Sequence, residues 1–177
     1  MSLRSFAFVA FAALALAGCA SSNTQVASSG VAGQVVGVAS KFGPVSIDRQ
    51  LFLAELNAYR RSKGRQPVAL HPGLNAAAQD MSIRTAKAGK LKIRAHTNGS
   101  LRRRVAKHGV RYWVAAENLA GNRQSSSEIL QMWKGSRGHN RNMLIRDVTH
   151  VGIARVDNPN DRWQSYWTLI LAQPREF

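Results

Sequence analysis

Hydrophobic residues recur every three or four positions in two segments of the chain, and this is the spacing of one face of a helix. Residues 49–64 carry the pattern, with Asp48 placed to cap the helix and Gly64 placed to end it. A second helix is predicted over residues 72–89, where Pro72 suits the first turn. The alanines of this second helix would let it lie close against a sheet or another helix.

The pattern then changes from helical to extended. Residues 90–98 lack a helical period and predict a loop, after which Ser100 can cap a short basic helix that ends at Gly109. Residues 112–122 predict an extended segment that turns at its last two positions, Gly and Asn.

A fourth helix and a hairpin follow. Ser125 and Glu128 form the pattern of a capping box, in which two side chains bond the free backbone amides of a helix start. Two strand-like runs, residues 150–156 and 163–173, are joined by a turn sequence and predict an antiparallel hairpin. Helices followed by an antiparallel pair indicate the α+β class rather than an alternating parallel sheet.

The N-terminal residues have the pattern of an export signal. Arg4 precedes an apolar run, residues 6–16, which is too short to span a bilayer, since a spanning helix needs about 20 apolar residues. The sequence Leu-Ala-Gly-Cys resembles a bacterial lipobox and predicts cleavage before Cys19, which leaves residues 1–18 as a lipoprotein signal peptide. Two or three acyl chains on Cys19 would attach the protein firmly to a membrane. The alternative is ordinary signal cleavage after Ala20.

The next segment has the composition of a linker. Residues 19–45 are rich in Ser, Gly and Ala and predict a flexible tether, with a short edge strand through the valines of residues 35–38 as the alternative. Residues 46–177 have the composition and length of one globular domain. Because Cys19 is the only cysteine, no intramolecular disulfide can form, and the domain must be stable by packing alone.

The chain is strongly basic, with 25 Lys and Arg against 9 Asp and Glu and a formal net charge of +16. The excess is concentrated between Asp80 and Glu117, where ten basic residues and no carboxylate occur. An exported protein meets little nucleic acid, so the predicted partners are anionic envelope components: lipids, lipopolysaccharide or wall polymer. The alternative is a solvated basic face without a dedicated partner.

Two histidines and one glutamate stand out as candidates for a site. His96 and His139 each lie in an irregular segment rich in small polar residues, where sites are commonly built. Glu117 interrupts an apolar run and needs a partner, because burying a lone carboxylate is costly. The remaining histidines are expected to be structural: His71, His108 and His150.

By residue type, His96, Glu117 and His139 could form a divalent-metal site with an open position, or a general acid–base cluster. Glu117 could instead pair with one of the many arginines, or the three residues could tie separate loops together by hydrogen bonds. They are spread over 44 positions, and the spacing alone does not bring them together.

Ser136 offers a second kind of chemistry, because it lies three residues before His139. A hydroxyl beside an imidazole that Glu117 orients could act as the nucleophile of a hydrolase. The alternative is that Ser136 ends the helix, since Gly135 and Gly138 on either side mark a chain reversal.

Four motifs in a fixed order resemble the bacterial branch of the CAP superfamily, which includes cysteine-rich secretory, antigen 5 and plant pathogenesis-related proteins. These motifs span about residues 48–174 and are LNAYRRSKGRQPVALHPGLNAAAQ, AENLAG, MWKGSRGHNRNML and VGIARV. The resemblance implies a three-layer α-β-α sandwich with a small, mainly antiparallel sheet.

The resemblance also implies a central cleft with two histidines and two acidic residues, which in some members holds zinc. His96, Glu117 and His139 match three of these positions, and Ser136 stands where the second acid is expected. A loosely bound or absent divalent metal is therefore predicted.

The implied function is a non-enzymatic module of the cell envelope that binds a lipid, glycan or peptide, with a protease-like hydrolase as the alternative. Ala20, next to the acylated Cys19, does not resemble an inner-membrane retention signal. The predicted location is therefore the outer membrane, facing the periplasm.

Overall fold

The computed structural model describes residues 42–92 and 96–175. Its helices are α1 (Arg49–Ser62), α2 (Pro72–Ala88), α3 (Asn98–Lys107), α4 (Ser126–Gly135) and α5 (Arg137–Met143). Its strands are β1 (Gly43–Val45), β2 (Ala69–Leu70), β3 (Tyr112–Gly121), β4 (His150–Asn158) and β5 (Gln164–Pro174). The predicted signal peptide, Cys19 and the predicted tether up to residue 41 lie outside the described residues. Within those residues, no helix is long and apolar enough to cross a membrane.

The sheet is built around the predicted hairpin of β4 and β5. Its strand order is β1-β4-β5-β3, with antiparallel pairing throughout this path, and β2 adds a short parallel pairing to β4. Gly43 lies opposite Asp157 and Val45 opposite Arg155. Residues 43–45 were expected in the tether, but they pair with β4, so the folded domain begins before residue 46.

The side chains of β5 alternate between two hydrophobic cores, because successive residues of a strand point to opposite faces. Leu169 and Leu171 join the core formed with α1, α4 and α5, whereas Ile170 and Ala172 join the core formed with α2 and α3. Helices therefore cover both faces of the sheet. This arrangement confirms the predicted α+β sandwich of three layers.

Helix α2 lies unusually close to the sheet. Ala77 and Ala78 are fully buried, and a Cβ atom added to Gly152 of β4 would lie 2.1 Å from the carbonyl carbon of Leu74. The side-chain oxygen of Asn75 accepts a hydrogen bond of 3.0 Å from the backbone amide of Ile153. The expectation that the alanines permit close packing is confirmed, and the glycine on the facing strand completes the contact.

Most helix ends follow the sequence expectations. Asp48 accepts a hydrogen bond of 2.9 Å from the amide of Leu51, and the capping box of Ser125 and Glu128 is complete at the start of α4. The expectation that Ser100 caps α3 is wrong. Thr97, a residue type equally suited to capping, accepts from the amide of Ser100 at 3.2 Å, so the helix starts earlier.

The largest difference from the sequence prediction is α5. The two glycines at 135 and 138 predicted a chain reversal through this segment, but the chain bends only at Ser136 and then forms a helix over Arg137–Met143. The fully buried Arg60 supports the end of this helix by donating hydrogen bonds to the carbonyl oxygens of Met143 at 2.5 Å and Ile145 at 3.2 Å.

The three remaining histidines have structural contacts. The Nδ1 atom of His71 accepts a hydrogen bond of 3.0 Å from the amide of Gly73 and so caps α2. The Nε2 atom of His108 lies 3.0 Å from a carboxylate oxygen of Asp80. The ring of His150 meets that of His71 edge to face, with 5.7 Å between the ring centroids.

Candidate functional site

His96, Glu117 and His139 line one cavity of about 380 Å³. The start of α3, the middle of β3 and the helix α5 form its walls, so three residues that are far apart in the sequence meet there. The remaining lining is a mixture of polar and apolar residues, namely Thr97, Asn98, Leu101, Ala115, Ala116, Gly138, Arg141, Asn142 and Ile145.

The floor of this cavity holds a buried ion pair between Arg104 and Glu117. A guanidinium nitrogen of Arg104 contacts Oε1 of Glu117, and the two side chains are only 2% and 3% exposed. The Nε atom of Arg104 also donates a hydrogen bond of 3.2 Å to the carbonyl oxygen of Ala77. The arginine therefore joins α3 to both α2 and β3. Of the alternatives for Glu117, the structure shows the pairing with an arginine.

The spacing of residues in α3 predicts that Arg104 is buried, although its position in a run of three arginines suggests an exposed charge. Arg104 is the third of three consecutive arginines, but it lies three residues after Leu101 and one before Val105. Positions i, i+3 and i+4 share one face of a helix, so Arg104 lies on the buried face with these two residues. Arg102 and Arg103 are exposed.

Burial and the neighbouring positive charges shift the pKa of Glu117 in opposite directions. Burial raises the pKa of Glu117 above its usual value, and the positive charge of Arg104 and the nearby His96 oppose that rise. The Nε2 atom of His96 lies 3.9 Å from Oε2 of Glu117. This distance is too long for a hydrogen bond, so the two side chains are not tied together directly.

The surroundings of His139 favour its neutral form. Burial lowers its pKa, and the proximity of His96 lowers the pKa further. The Nδ1 atom of His139 is buried and has no hydrogen-bond partner, and Oε2 of Glu117 is in the same state. Two polar atoms on cavity-lining side chains therefore lack partners, which is costly unless an occupant supplies them.

Two asparagines, which the sequence reasoning did not single out, fix α5 against β3. The side-chain amide of the fully buried Asn118 donates to the backbone carbonyl oxygen of His139 at 3.0 Å. Asn142 donates to the side-chain oxygen of Asn118 at 2.9 Å. These bonds set the position of the His139 backbone relative to Glu117. Asn118 follows Glu117 in the AENLAG motif, and this adjacency was the available signal.

The residues present do not fit a divalent metal ion. Glu117 uses one carboxylate oxygen for Arg104, and the positive charge of that arginine weakens the attraction of the carboxylate for a metal cation. Among the described residues, no three His, Cys, Asp or Glu side chains lie close enough together to hold a metal ion. Metal binding by His96, Glu117 and His139 therefore remains a prediction from the family pattern alone.

Ser136 lies at the bend between α4 and α5 and is not among the residues that line the cavity. Its backbone carbonyl oxygen accepts a hydrogen bond of 2.8 Å from the amide of Asn140, and its side chain makes no capping bond at the start of α5. In the part of the chain that the structure describes, no hydrogen bond joins Ser136 to His139. The pair lacks the contact that activates a nucleophile.

Comparison with known proteins gives one relative by sequence and several by structure. The uncharacterized protein YkwD of Bacillus subtilis (strain 168) is 28% identical over 112 residues, which cover 63% of this chain. The chain spans only 42% of the length of that relative.

Two solved structures share the fold. An outer surface protein of Borrelia burgdorferi superposes with a TM-score of 0.63 at 13% identity, covering 76% of this chain and all of that chain. An extracellular protein of Bacillus anthracis that contains an SCP domain gives a TM-score of 0.60 at 21% identity, covering 70% of this chain and 39% of that one.

Comparison with protein-family models shows the family to which the chain belongs. The model of the cysteine-rich secretory protein family, CAP, matches residues 53–171. This range holds both cores of the sheet except Phe52 and Ala172, and it holds all three cavity residues His96, Glu117 and His139. The chain is therefore a member of the CAP family of cysteine-rich secretory proteins.

Proposed function

We propose that this CAP-domain protein is a non-enzymatic binding module of the cell envelope, which holds a lipid, glycan or peptide in the cavity lined by His96, Glu117 and His139. The observation that carries the proposal is the pairing of Glu117 with Arg104 at the cavity floor. The carboxylate is neutralised within the protein, so it is poorly suited to orient a catalytic histidine or to attract a metal ion. The cavity volume of about 380 Å³ lies within the range of small-molecule sites.

The lining suits a ligand with both apolar and polar parts. Leu101 and Ile145 offer apolar contacts, while His96 and Asn142 offer groups that can form hydrogen bonds. The buried Nδ1 atom of His139 and Oε2 of Glu117 lack partners, and small rotations of these side chains would let a ligand hydroxyl or amide bond them. Binding of this kind needs neither a nucleophile nor a metal.

Export and lipid attachment belong to the same proposal. The lipobox places an acylated cysteine at Cys19, and the Ser-rich and Gly-rich residues after it would hold the domain near the membrane surface. The neighbours described as extracellular and outer surface proteins support an extracytoplasmic site of action. Ala20 favours the outer membrane, with the domain facing the periplasm.

Native mass spectrometry of the protein purified from its own envelope tests the binding proposal. We expect a bound organic ligand and no stoichiometric zinc. His96→Ala should reduce occupancy at least tenfold, and its side chain is 40% exposed, so the fold should tolerate the change. Cys19 should carry the mass of its acyl chains in the same spectra.

Ser136→Ala is the matched control that separates binding from hydrolysis. Ser136 lies outside the cavity lining, so the binding proposal expects unchanged ligand occupancy. A protein that carries no ligand in any preparation would sink the proposal. Cleavage of a peptide or ester substrate that Ser136→Ala abolishes would establish the hydrolase instead.

A further inference from the structure

Trp113 is the most exposed large hydrophobic residue of the described chain, with 67% of its surface accessible. The other tryptophans are covered to a much greater degree, and Trp133 and Trp167 are fully buried. A single exposed hydrophobic residue is common on protein surfaces, so the groups around this indole decide whether it has a role. It lies on β3, at the edge of the sheet.

The pairing of β3 with β5 is irregular at Trp113. The pairing partner of Tyr112 is Pro174 and that of Ala115 is Ala172, so β3 has one more residue than β5 across this interval. Tyr112 and Ala115 pack against the core beneath α2 and α3, and Val114 packs against the opposite core. The neighbours of Trp113 on the strand therefore pack against both cores. Trp113 itself joins neither core and is exposed.

Arginines surround the indole. The guanidinium of Arg175 lies over the Trp113 ring, 3.5 Å from its centroid, and Arg102 and Arg111 line the adjoining cavity of about 180 Å³. Among the described residues, no carboxylate lines this cavity. In the sequence, Arg175 is followed by one acid, Glu176, which lies outside the described residues. Counting this acid with the three arginines gives a formal charge of 3 − 1 = +2. We call Trp113 with these three arginines the Trp113 face.

The Trp113 face lies near the central cavity. A neighbouring cavity, of about 270 Å³, is lined by Arg102 and Trp113 and also by Asn98 and Ala115. Asn98 and Ala115 line the central cavity as well. A surface that covered the Trp113 face would therefore lie close to the candidate ligand site.

We propose that the Trp113 face docks on the surface of an anionic phospholipid bilayer. Its chemistry matches that surface: an indole with a polar N–H inserts at the level of the head groups, while arginines bind the phosphates beside it. Docking would bring the central cavity, which shares Asn98 and Ala115 with the cavity beside Trp113, close to the membrane surface. The docking itself does not depend on the proposed ligand.

Tryptophan fluorescence provides the test. The full chain carrying Cys19→Ser, so that acylation cannot attach it, is mixed with vesicles of brominated phosphatidylcholine with or without half phosphatidylglycerol. Residues 1–19 contain no tryptophan, so quenching by bromine reports the domain. We expect quenching only with the anionic vesicles, and its loss in Trp113→Phe. Trp163→Phe is the matched control, because Arg162 also lies over that ring but Trp163 is at the other end of β5.

The charges are tested by vesicle co-sedimentation. Each arginine near an anionic surface contributes about a fivefold gain in affinity, so Arg102→Gln with Arg175→Gln should weaken binding about 25-fold. Arg61→Gln with Arg146→Gln removes the same charge from exposed positions elsewhere and should have a much smaller effect. Equal losses for the two pairs, or quenching that persists in Trp113→Phe, would overturn the proposal. His96→Ala should leave quenching unchanged, which separates failure of docking from failure of the cavity.

Discussion

Arg104 is the residue that most affects the charge of the candidate site. It contacts Glu117, which lines the cavity, and both side chains are almost completely buried. The guanidinium supplies the positive charge that a buried carboxylate needs. The stability of this part of the domain should therefore depend on the pair remaining intact.

Arg104→Met should lower the free energy of unfolding by about 3–5 kcal/mol, because it leaves the carboxylate of Glu117 buried without its cation. The double variant Arg104→Met, Glu117→Gln should recover much of this loss, since no isolated charge remains. Chemical denaturation of the three proteins measures the effect. Arg103→Met, at the exposed neighbouring position, should change stability by less than about 0.5 kcal/mol. A similar cost at both arginines would contradict this account.

At this scale, part of the site could be predicted from the sequence. The resemblance to the CAP family implied His96, Glu117 and His139 as cleft residues, although His96 lies outside the four motifs, and these three residues line one cavity. The partner of Glu117 was left open because charge alone cannot distinguish three adjacent arginines. Only the phase of the helix, fixed by Leu101 and its neighbours, selects Arg104.

Among the elements, α5 is the one on which the site depends most. It has seven residues, too few for a stable isolated helix, so its stability must come from contacts with the rest of the domain. Arg60 of α1 binds two carbonyl oxygens at its C-terminal end, and Tyr59 donates a hydrogen bond of 2.8 Å to Asn140. His139 is therefore positioned by a helix that other elements hold in place.

Arg60→Met should cost about 2–4 kcal/mol of stability, because it leaves buried carbonyl oxygens without donors. It should also weaken ligand occupancy through displacement of His139. Arg61→Met is the matched control, since Arg61 is the exposed neighbour on the same helix turn. Thermal denaturation together with native mass spectrometry distinguishes the two variants. An Arg60 variant as stable as the Arg61 variant would refute this role.

Because α5 depends on contacts with distant residues, the local sequence does not predict it. Gly135 before the helix and Gly138 in its first turn are typical of a chain reversal, and Arg60, which bonds the end of the helix, lies about 80 positions away. The strands β1 and β2 were missed for a related reason. Each has two or three residues, and its extended form is stabilised by pairing with β4 rather than by its own sequence.

At the scale of the whole molecule, the domain is stable without a disulfide because both faces of one sheet are covered. The α+β class and the hairpin of β4 and β5 could be predicted, since periodicity identifies long elements reliably. The order of strands could not, because β3 and β1 are brought to the hairpin by long connections whose geometry no local pattern encodes.

Gly152→Ala tests how closely the helical layer must approach the sheet. The added methyl group would overlap backbone atoms of α2 at Leu74 and Asn75, which cannot move without shifting the whole helix. We expect a loss of at least about 2–3 kcal/mol in the free energy of unfolding. Gly135→Ala, where an added Cβ meets nothing within 4 Å, is the control and should have little effect. Equal stability of the two variants would show that the layers can separate at small cost.

The place of β4 and β5 in the chain also governs when the protein can fold. Both cores are built on these two strands, yet the strands come after the five helices of the described residues. During synthesis, each of these helices emerges before the strands that cover its apolar face. Neither core can be completed until residues 150–172 have been made, because these residues supply the central strands. The export signal predicted from the N-terminal sequence would therefore act on a chain whose cores are still incomplete.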